Sequence, residues 1–211
     1  MPKLLKVENN KSGDSFGQFG FTNHYGPESR WIRRAVLTAE GYLVVADSYA
    51  PGTTLNDDYL AGPVWHLGID EQSTEGKQKR NWFDAPALDQ AWWQKNKMRV
   101  VLHLHDDGTM HFGSLKQTHT QDGLPNITTY GYRPVSSGKT ERFLSVFVPH
   151  PVSKDPEGIA KTIRTSIIES GIYSAVIGET QISIHSDGKW SVRRSDKASH
   201  LHPQGRELHD R

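Results

Sequence analysis

The sequence predicts an all-β protein, a two-layer sandwich of antiparallel sheets, and three observations lead there. Its apolar residues come in short runs rather than in long helical periods, as in Leu43-Val-Val45 and Phe143-Leu-Ser-Val-Phe-Val148. Those runs are separated by turn-forming residues at regular intervals, with 19 glycines and 11 prolines in 211 residues. Finally, two Asp-Gly steps, Asp107-Gly108 and Asp187-Gly188, sit between alternating segments, where positive backbone angles tighten a hairpin. A chain of this length can bury about 70% of the surface its unfolded form exposes, so a core needs no staples.

The elements follow in order. Residues 1–14 are polar and read as a loose N-terminal segment, with the sandwich domain spanning 15–195 and a polar, frayed tail at 196–211. Ser15-Phe-Gly-Gln-Phe-Gly-Phe-Thr22 alternates aromatics with small residues and forms one or two early strands. Residues 30–37 and 42–48 flank the spacer Thr38-Ala-Glu-Gly41 and make a hairpin. A charged loop covers 70–81, and 84–97, with Trp92 and Trp93 on adjacent faces, is either the one short helix expected before the next strand or a substrate-facing excursion. Residues 98–105 and 109–114 read as a hairpin about Asp106-Asp-Gly108, and 181–185 and 189–194 as another about Ser186-Asp-Gly188, preceded by a strand at 172–177.

Composition excludes several classes of function. There is no cysteine, hence no disulfide framework and no thiolate metal site. Twenty-five basic against 24 acidic residues leave a net charge of +1, so no broad phosphate-binding surface and no nucleic-acid partner are expected. No run approaches the ~20 apolar residues of a membrane helix, and Met1-Pro-Lys-Leu-Leu-Lys-Val-Glu8 has no apolar stretch of a signal peptide. No glycine-rich loop precedes a Lys-Ser/Thr pair, and Ser145 and Ser166 lack a nucleophile-elbow context.

Several side chains are candidates for chemistry. Asp47 ends a buried apolar strand, where an acid either caps a turn or offers oxygens to a cation. His66, in Trp65-His-Leu67, needs a hydrogen-bond or metal partner if its strand is buried. His103 and His105 share one strand face, with His111 expected on the hairpin partner. This is either a chelating arrangement or an exposed polar face. His150 lies between two prolines and is expected to be rigid and partly exposed. Tyr130-Gly-Tyr-Arg133, His24-Tyr25 and Arg30 are acid-, base- and cation-type side chains at no specific spacing, and tyrosines in strands are usually half-buried packing residues.

Taken together, Gly41-Tyr-Leu-Val-Val-Ala-Asp47, Val64-Trp-His-Leu-Gly68 and Glu141-Arg-Phe-Leu-Ser-Val-Phe-Val-Pro-His-Pro151 resemble, in this order, the C-terminal β-sandwich region of the heparinase II/III-like polysaccharide lyases. The resemblance covers approximately residues 15–194. It implies a domain that acts on an acidic, uronate-containing glycan by β-elimination when joined to an α/α-toroid, and that is catalytically incomplete without it. By the same resemblance the protein is periplasmic or secreted. By it Asp47 and His66 would hold a structural zinc, while the principal catalytic Tyr and His residues of these lyases come largely from the toroid; from this chain's own residue types, Tyr130, Tyr132 and His24 are the catalytic candidates and Arg30, Arg133, Trp92 and Trp93 the substrate-binding ones. The family pattern supplies a further histidine where this chain has Ser29-Arg-Trp31. Either His24 or a histidine of the Asp-Gly hairpin takes its place, or Arg30 pairs with Asp47 instead. A different class of function is a stand-alone carbohydrate-binding module, in which Trp82, Trp92 and Trp93 stack on sugar rings while Trp31, Trp65 and Trp190 belong to the core. A structural role through an open sheet edge is a third.

Overall fold

The computed structural model of the chain describes residues 3–23, 27–52, 59–68, 78–86, 98–117 and 126–195. Sixteen strands and one helix are described among them: β1 (Lys3–Asn9), β2 (Ser15–Thr22), β3 (Arg30–Leu37), β4 (Leu43–Ala50), β5 (Leu60–Ala61), β6 (Val64–Gly68), β7 (Gln78–Lys79), β8 (Trp82–Pro86), β9 (Met98–Leu104), β10 (His111–Gln117), β11 (Asn126–Pro134), β12 (Glu141–Pro151), α1 (Pro156–Thr162), β13 (Ile163–Ile168), β14 (Ile172–Ile177), β15 (Thr180–His185) and β16 (Trp190–Arg194). An eight-stranded sheet runs β1-β2-β3-β4-β12-β9-β8-β7. A second sheet, of four strands, is centred on β11, with β10 on one side and β5 and β6 on the other; a third runs β13-β14-β15-β16. Every pairing is antiparallel, so the expected all-β sandwich is what the chain builds.

Side-chain alternation along β4 and β12 decides which sheet covers which face. Val44 and Ala46, with Leu144, Val146 and Val148, join Tyr173, Ala175, Ile182 and Ile184 of the third sheet in one core. Tyr49 and Phe143 point the other way and pack with Trp31, Ala61, Val135 and Met110, while Leu102 and Leu104 meet Trp65, Leu67 and Phe112. The eight-stranded sheet therefore carries a four-stranded sheet on each face, one more layer than the two expected. Strands β4, β9 and β12 are buried on both sides, which is why their sequences read as near-continuous apolar runs.

The expected hairpins at 30–48 and 181–194 are present. Gly41 (φ 88°) and Gly188 (φ 86°) supply the left-handed backbone that each turn requires. The hairpin expected about Asp106-Asp-Gly108 is not formed. Strand β9 pairs with β12 and β8, whereas β10 pairs with β11, so the Asp-Gly turn carries the chain from one sheet to another. Both edges of β9 are already taken by strands that bury its apolar run. Residues 1–14 are not loose throughout, because β1 pairs along β2 from Lys3 to Asn9. It is an edge strand with Leu4, Leu5 and Val7 exposed, which is why the segment reads as polar and unsupported. Residues 84–86 end strand β8, and the rest of the expected helix, to 97, lies outside the described residues, as does the tail 196–211. The described helix is α1, capped by Asp155, whose carboxylate accepts from the Gly158 amide at 2.8 Å, with Pro156 at its first turn.

Candidate functional site

A cleft of about 410 Å³ opens where β3 and β4 of the large sheet meet the β5–β6 edge and β11 of the second sheet. Its floor is set by one hydrogen-bonded group. Asp47, only 1% exposed, accepts from Trp31 Nε1 at 2.8 Å and from Arg33 through Nε and Nη2, each at 2.9 Å. A bidentate guanidinium–carboxylate pair of this kind fixes both planes. The Trp31 ring packs on Tyr49 (5.1 Å between centroids) and Phe143 (6.0 Å), and the Arg33 guanidinium lies 4.5 Å from the Trp65 ring centroid. Arg33 Nη1 makes no hydrogen bond among the described residues. Phe21, Tyr59, Leu60 and Val64 complete the apolar wall.

Tyr130 and Tyr132 line the same cleft. They stand two apart on β11, ring centroids 6.1 Å apart, and Tyr132 stacks on His111 at 5.4 Å. Close backbone approach makes the wall thin here. A Cβ placed on Gly62 would sit 1.8 Å from the Gly131 carbonyl oxygen, so only glycine lets the β5–β6 edge run against β11.

The remaining expected residues are not brought together with these. Arg30 faces the opposite side of β3 from Trp31 and Arg33 and lines another cavity, so Asp47 is paired with Arg33 and not with Arg30. Arg133 reaches toward the large sheet, where Asp107 and Glu141 hold it and Phe143 lies under its guanidinium. Its charge is spent on structure. His66 is exposed, with Nδ1 2.9 Å from Thr128 Oγ1. Its neighbour Trp65 points into the interior and donates to Ser145 Oγ at 3.0 Å. Consecutive strand residues face opposite ways, so His66 points away from the face that holds Asp47. The pair does not fit a shared zinc: Asp47 is committed to a permanent cation and an indole, and among the described residues no three His, Asp or Glu side chains are grouped to hold a metal. His24, Trp92 and Trp93 lie outside the described residues.

The other histidines are also separated. His105 Nδ1 contacts Thr165 Oγ1 at 3.0 Å, His103 Nε2 lies 3.3 Å from Asn81 Nδ2, and His111 is on the second sheet. Burial above all lowers the pKa of His103, to about 4, and that of His105 moves the same way for the same reason. His150 is buried rather than partly exposed, its Nε2 3.1 Å from Asp84 Oδ1, because β12 runs on through the proline-flanked segment in the middle of the sheet. Trp82, offered as a sugar platform, is 8% exposed and belongs to the core.

Arg33 and Trp31 are the cleft residues that sequence reasoning missed. The signal was available: a hairpin folded about the Thr38–Gly41 turn sets Arg33 directly opposite Asp47, and alternation puts Trp31 on the same face.

The fold and the cleft define a class: an antiparallel all-β sandwich with an aromatic-walled, arginine-floored groove along one sheet edge. No protein-family profile and no curated protein sequence matches the chain. Solved structures do. The heparan sulfate lyase HepC from Pedobacter heparinus superposes with a TM-score of 0.58 at 13% identity over 95% of this chain. A structure of Heparinase III does so with a TM-score of 0.55 at 14% identity over 91%. In fold, then, the chain is a heparinase-like β-sandwich domain. It spans 29% and 27% of the length of those two chains respectively.

Proposed function

We propose that this chain is the sheet domain of a polysaccharide lyase, and that its cleft holds an acidic, uronate-containing glycan for β-elimination. The observation that supports this reading is the coincidence of a heparinase-like fold over nearly the whole chain with a groove whose residue types suit such a ligand. Trp31, Tyr130 and Tyr132 offer aromatic surface to sugar rings, and Arg33 keeps Nη1 for a carboxylate while Asp47 holds its other two donors. Neutralising the uronate carboxylate is the step that makes the adjacent C–H acidic. A tyrosine hydroxyl in the groove then serves as the acid toward the leaving oxygen.

The described residues lining the groove include no carboxylate and no imidazole, so this wall binds and polarises but lacks an obvious base. That favours a domain that retains glycan without cleaving it, completed by an α/α-toroid domain or chain. His24 is the candidate base this sequence itself contributes. The same observation favours the second reading, a carbohydrate-binding module without catalysis. A periplasmic or secreted location goes with either.

The test incubates the chain with alginate, heparan sulfate, hyaluronan and chondroitin, following the ultraviolet absorbance of the unsaturated uronate and, in parallel, retention on the immobilised glycans. Retention of at least one glycan without an absorbance rise supports the proposal. A rise that His24→Ala abolishes would show a complete site, and no retention of any of the four would overturn the reading.

A further inference from the structure

On the opposite face of β3 from the cleft lies a second cavity, of about 270 Å³, lined by Arg30, Ile32, Arg34, Ser48, Ala50, Thr140, Arg142 and Ser186. Arg30 and Arg34 share a face of β3, and Arg142 comes from β12. Between those two strands lies β4, whose Ser48 is in register with both Ile32 and Arg142. The hairpin ends that carry Gly171 and Ser186 close over it: Ser186 Oγ donates to the Gly171 carbonyl at 2.9 Å, and a Cβ on Gly171 would lie 3.7 Å from Arg142 Nε.

Three guanidiniums converge here, and among the described residues none of them forms an ion pair. Arg34 is 2% exposed. It donates through Nη1 to Ser48 Oγ at 3.1 Å and through Nη2 to the Ser186 carbonyl, while its buried Nε has no partner. The buried Nε of Arg142 also has none, and its Nη1 makes only a 3.5 Å contact with the Thr140 carbonyl. Arg99 and Arg133 elsewhere have an orphaned Nε too, but each keeps a carboxylate, Asp84 at 3.0 Å and Glu141 at 2.8 Å. The nearest acids to Arg34 are committed: Asp47 to Arg33, and Asp187 to Lys189 at 2.8 Å. Burial above all, with Arg30 adding, works against the charge on Arg34. A guanidinium buried without a counter-charge is costly unless an anion answers it.

We propose that the Arg30–Arg34–Arg142 cavity is a binding site for a tetrahedral oxyanion, a sulfate ester or a free sulfate or phosphate, held between β3, β12 and the β15–β16 turn. The guanidiniums of Arg30 and Arg142 line the cavity with Arg34 buried beside them, and the cavity is several times the ~30 Å³ share of one water. This geometry suits fork-type donors on three sides of a compact, multiply charged anion better than a planar carboxylate. The site stands apart from the cleft and does not rest on the lyase reading.

The full chain is titrated with sodium sulfate and with sodium phosphate, each against sodium chloride of equal ionic strength, reading the arginine Nε–H resonances by NMR. The expected result is saturable movement of the Arg34 and Arg142 signals by sulfate or phosphate and not by chloride. Arg30→Gln, an exposed position, weakens the affinity at least threefold, and Arg30→Gln/Arg142→Gln at least tenfold, while Arg164→Gln on exposed β13 leaves it unchanged. Two further arms separate the sources. A sulfated disaccharide that binds more tightly than inorganic sulfate and loses that affinity on desulfation points to a glycan ester, and the reverse order points to a free anion. Absence of saturable movement, or equal affinity in the wild type and the exposed single variant, overturns the site. Because that variant lies away from Tyr130 and Tyr132, glycan retention at the cleft reports separately on the lyase proposal.

Discussion

Replacing Asp47 with alanine separates a cleft organised by an ion pair from one organised by zinc. The substitution removes the acceptor of three hydrogen bonds, one from the Trp31 indole N–H and two from Arg33. Breaking a buried pair by removing one member costs about 3–5 kcal/mol. Here Arg33 is 30% exposed and regains part of its hydration, so the loss falls nearer ~3 kcal/mol. For a chain of this size each kcal/mol lowers the melting temperature by roughly 2–4 °C, which places Asp47→Ala about 6–12 °C below the wild type. His66→Ala removes one hydrogen bond at an exposed position and is expected to cost about 1 kcal/mol or less. The assay is thermal unfolding by circular dichroism, with and without a chelator. Large and equal losses for both variants, together with a drop on chelation, would refute the ion-pair account.

Three more outcomes are expected. Between about pH 6.5 and 4.5 the chain loses stability as pH falls: the unfolded state protonates His103 near 6.5, whereas the folded state resists until about 4, so proton uptake favours unfolding. The whole effect is at most about 3 kcal/mol, and His103→Gln should flatten the denaturant midpoint against pH across that window, leaving the smaller slope of His105. Gly62→Ala drives a methyl into the Gly131 carbonyl and should lower the melting temperature by about 4 °C or more, with a change in the near-ultraviolet signal of the cleft aromatics. Tyr130→Ala and Tyr132→Ala should each weaken retention of an acidic glycan about tenfold or more while leaving the fold intact, measured by affinity electrophoresis.

How far the sequence could be read depended on the range of the interaction. The β3–β4 and β15–β16 hairpins are local: a glycine in the left-handed region closes each, and the partner strand is the next one along. At Gly108 the same chemistry again makes a turn, but turn chemistry does not say which sheet the chain enters next. That is settled by β12, which begins only at Glu141 and takes the edge of β9. His150 follows the same logic, since proline-flanked residues look peripheral until a strand crosses the middle of a sheet. Helix α1 was within reach of local reasoning, because Asp155-Pro-Glu157 is a cap followed by a first-turn proline and an acid. Within the cleft, Tyr130 and Tyr132 stood out by residue type and not by spacing, because a Tyr-Gly-Tyr strand segment serves packing as readily as chemistry. The choice of Arg33 over Arg30 required counting register across a hairpin and then assigning each face to a layer.

The most direct test of the central claim is the quenching of tryptophan fluorescence, to which Trp31 at the cleft contributes, as uronate-containing oligosaccharides are titrated into the chain. Saturable quenching that Arg33→Gln weakens about tenfold, and that Trp31→Phe largely removes, is what this account predicts. Saturable binding that neither substitution alters, or no binding of any acidic glycan, would contradict it.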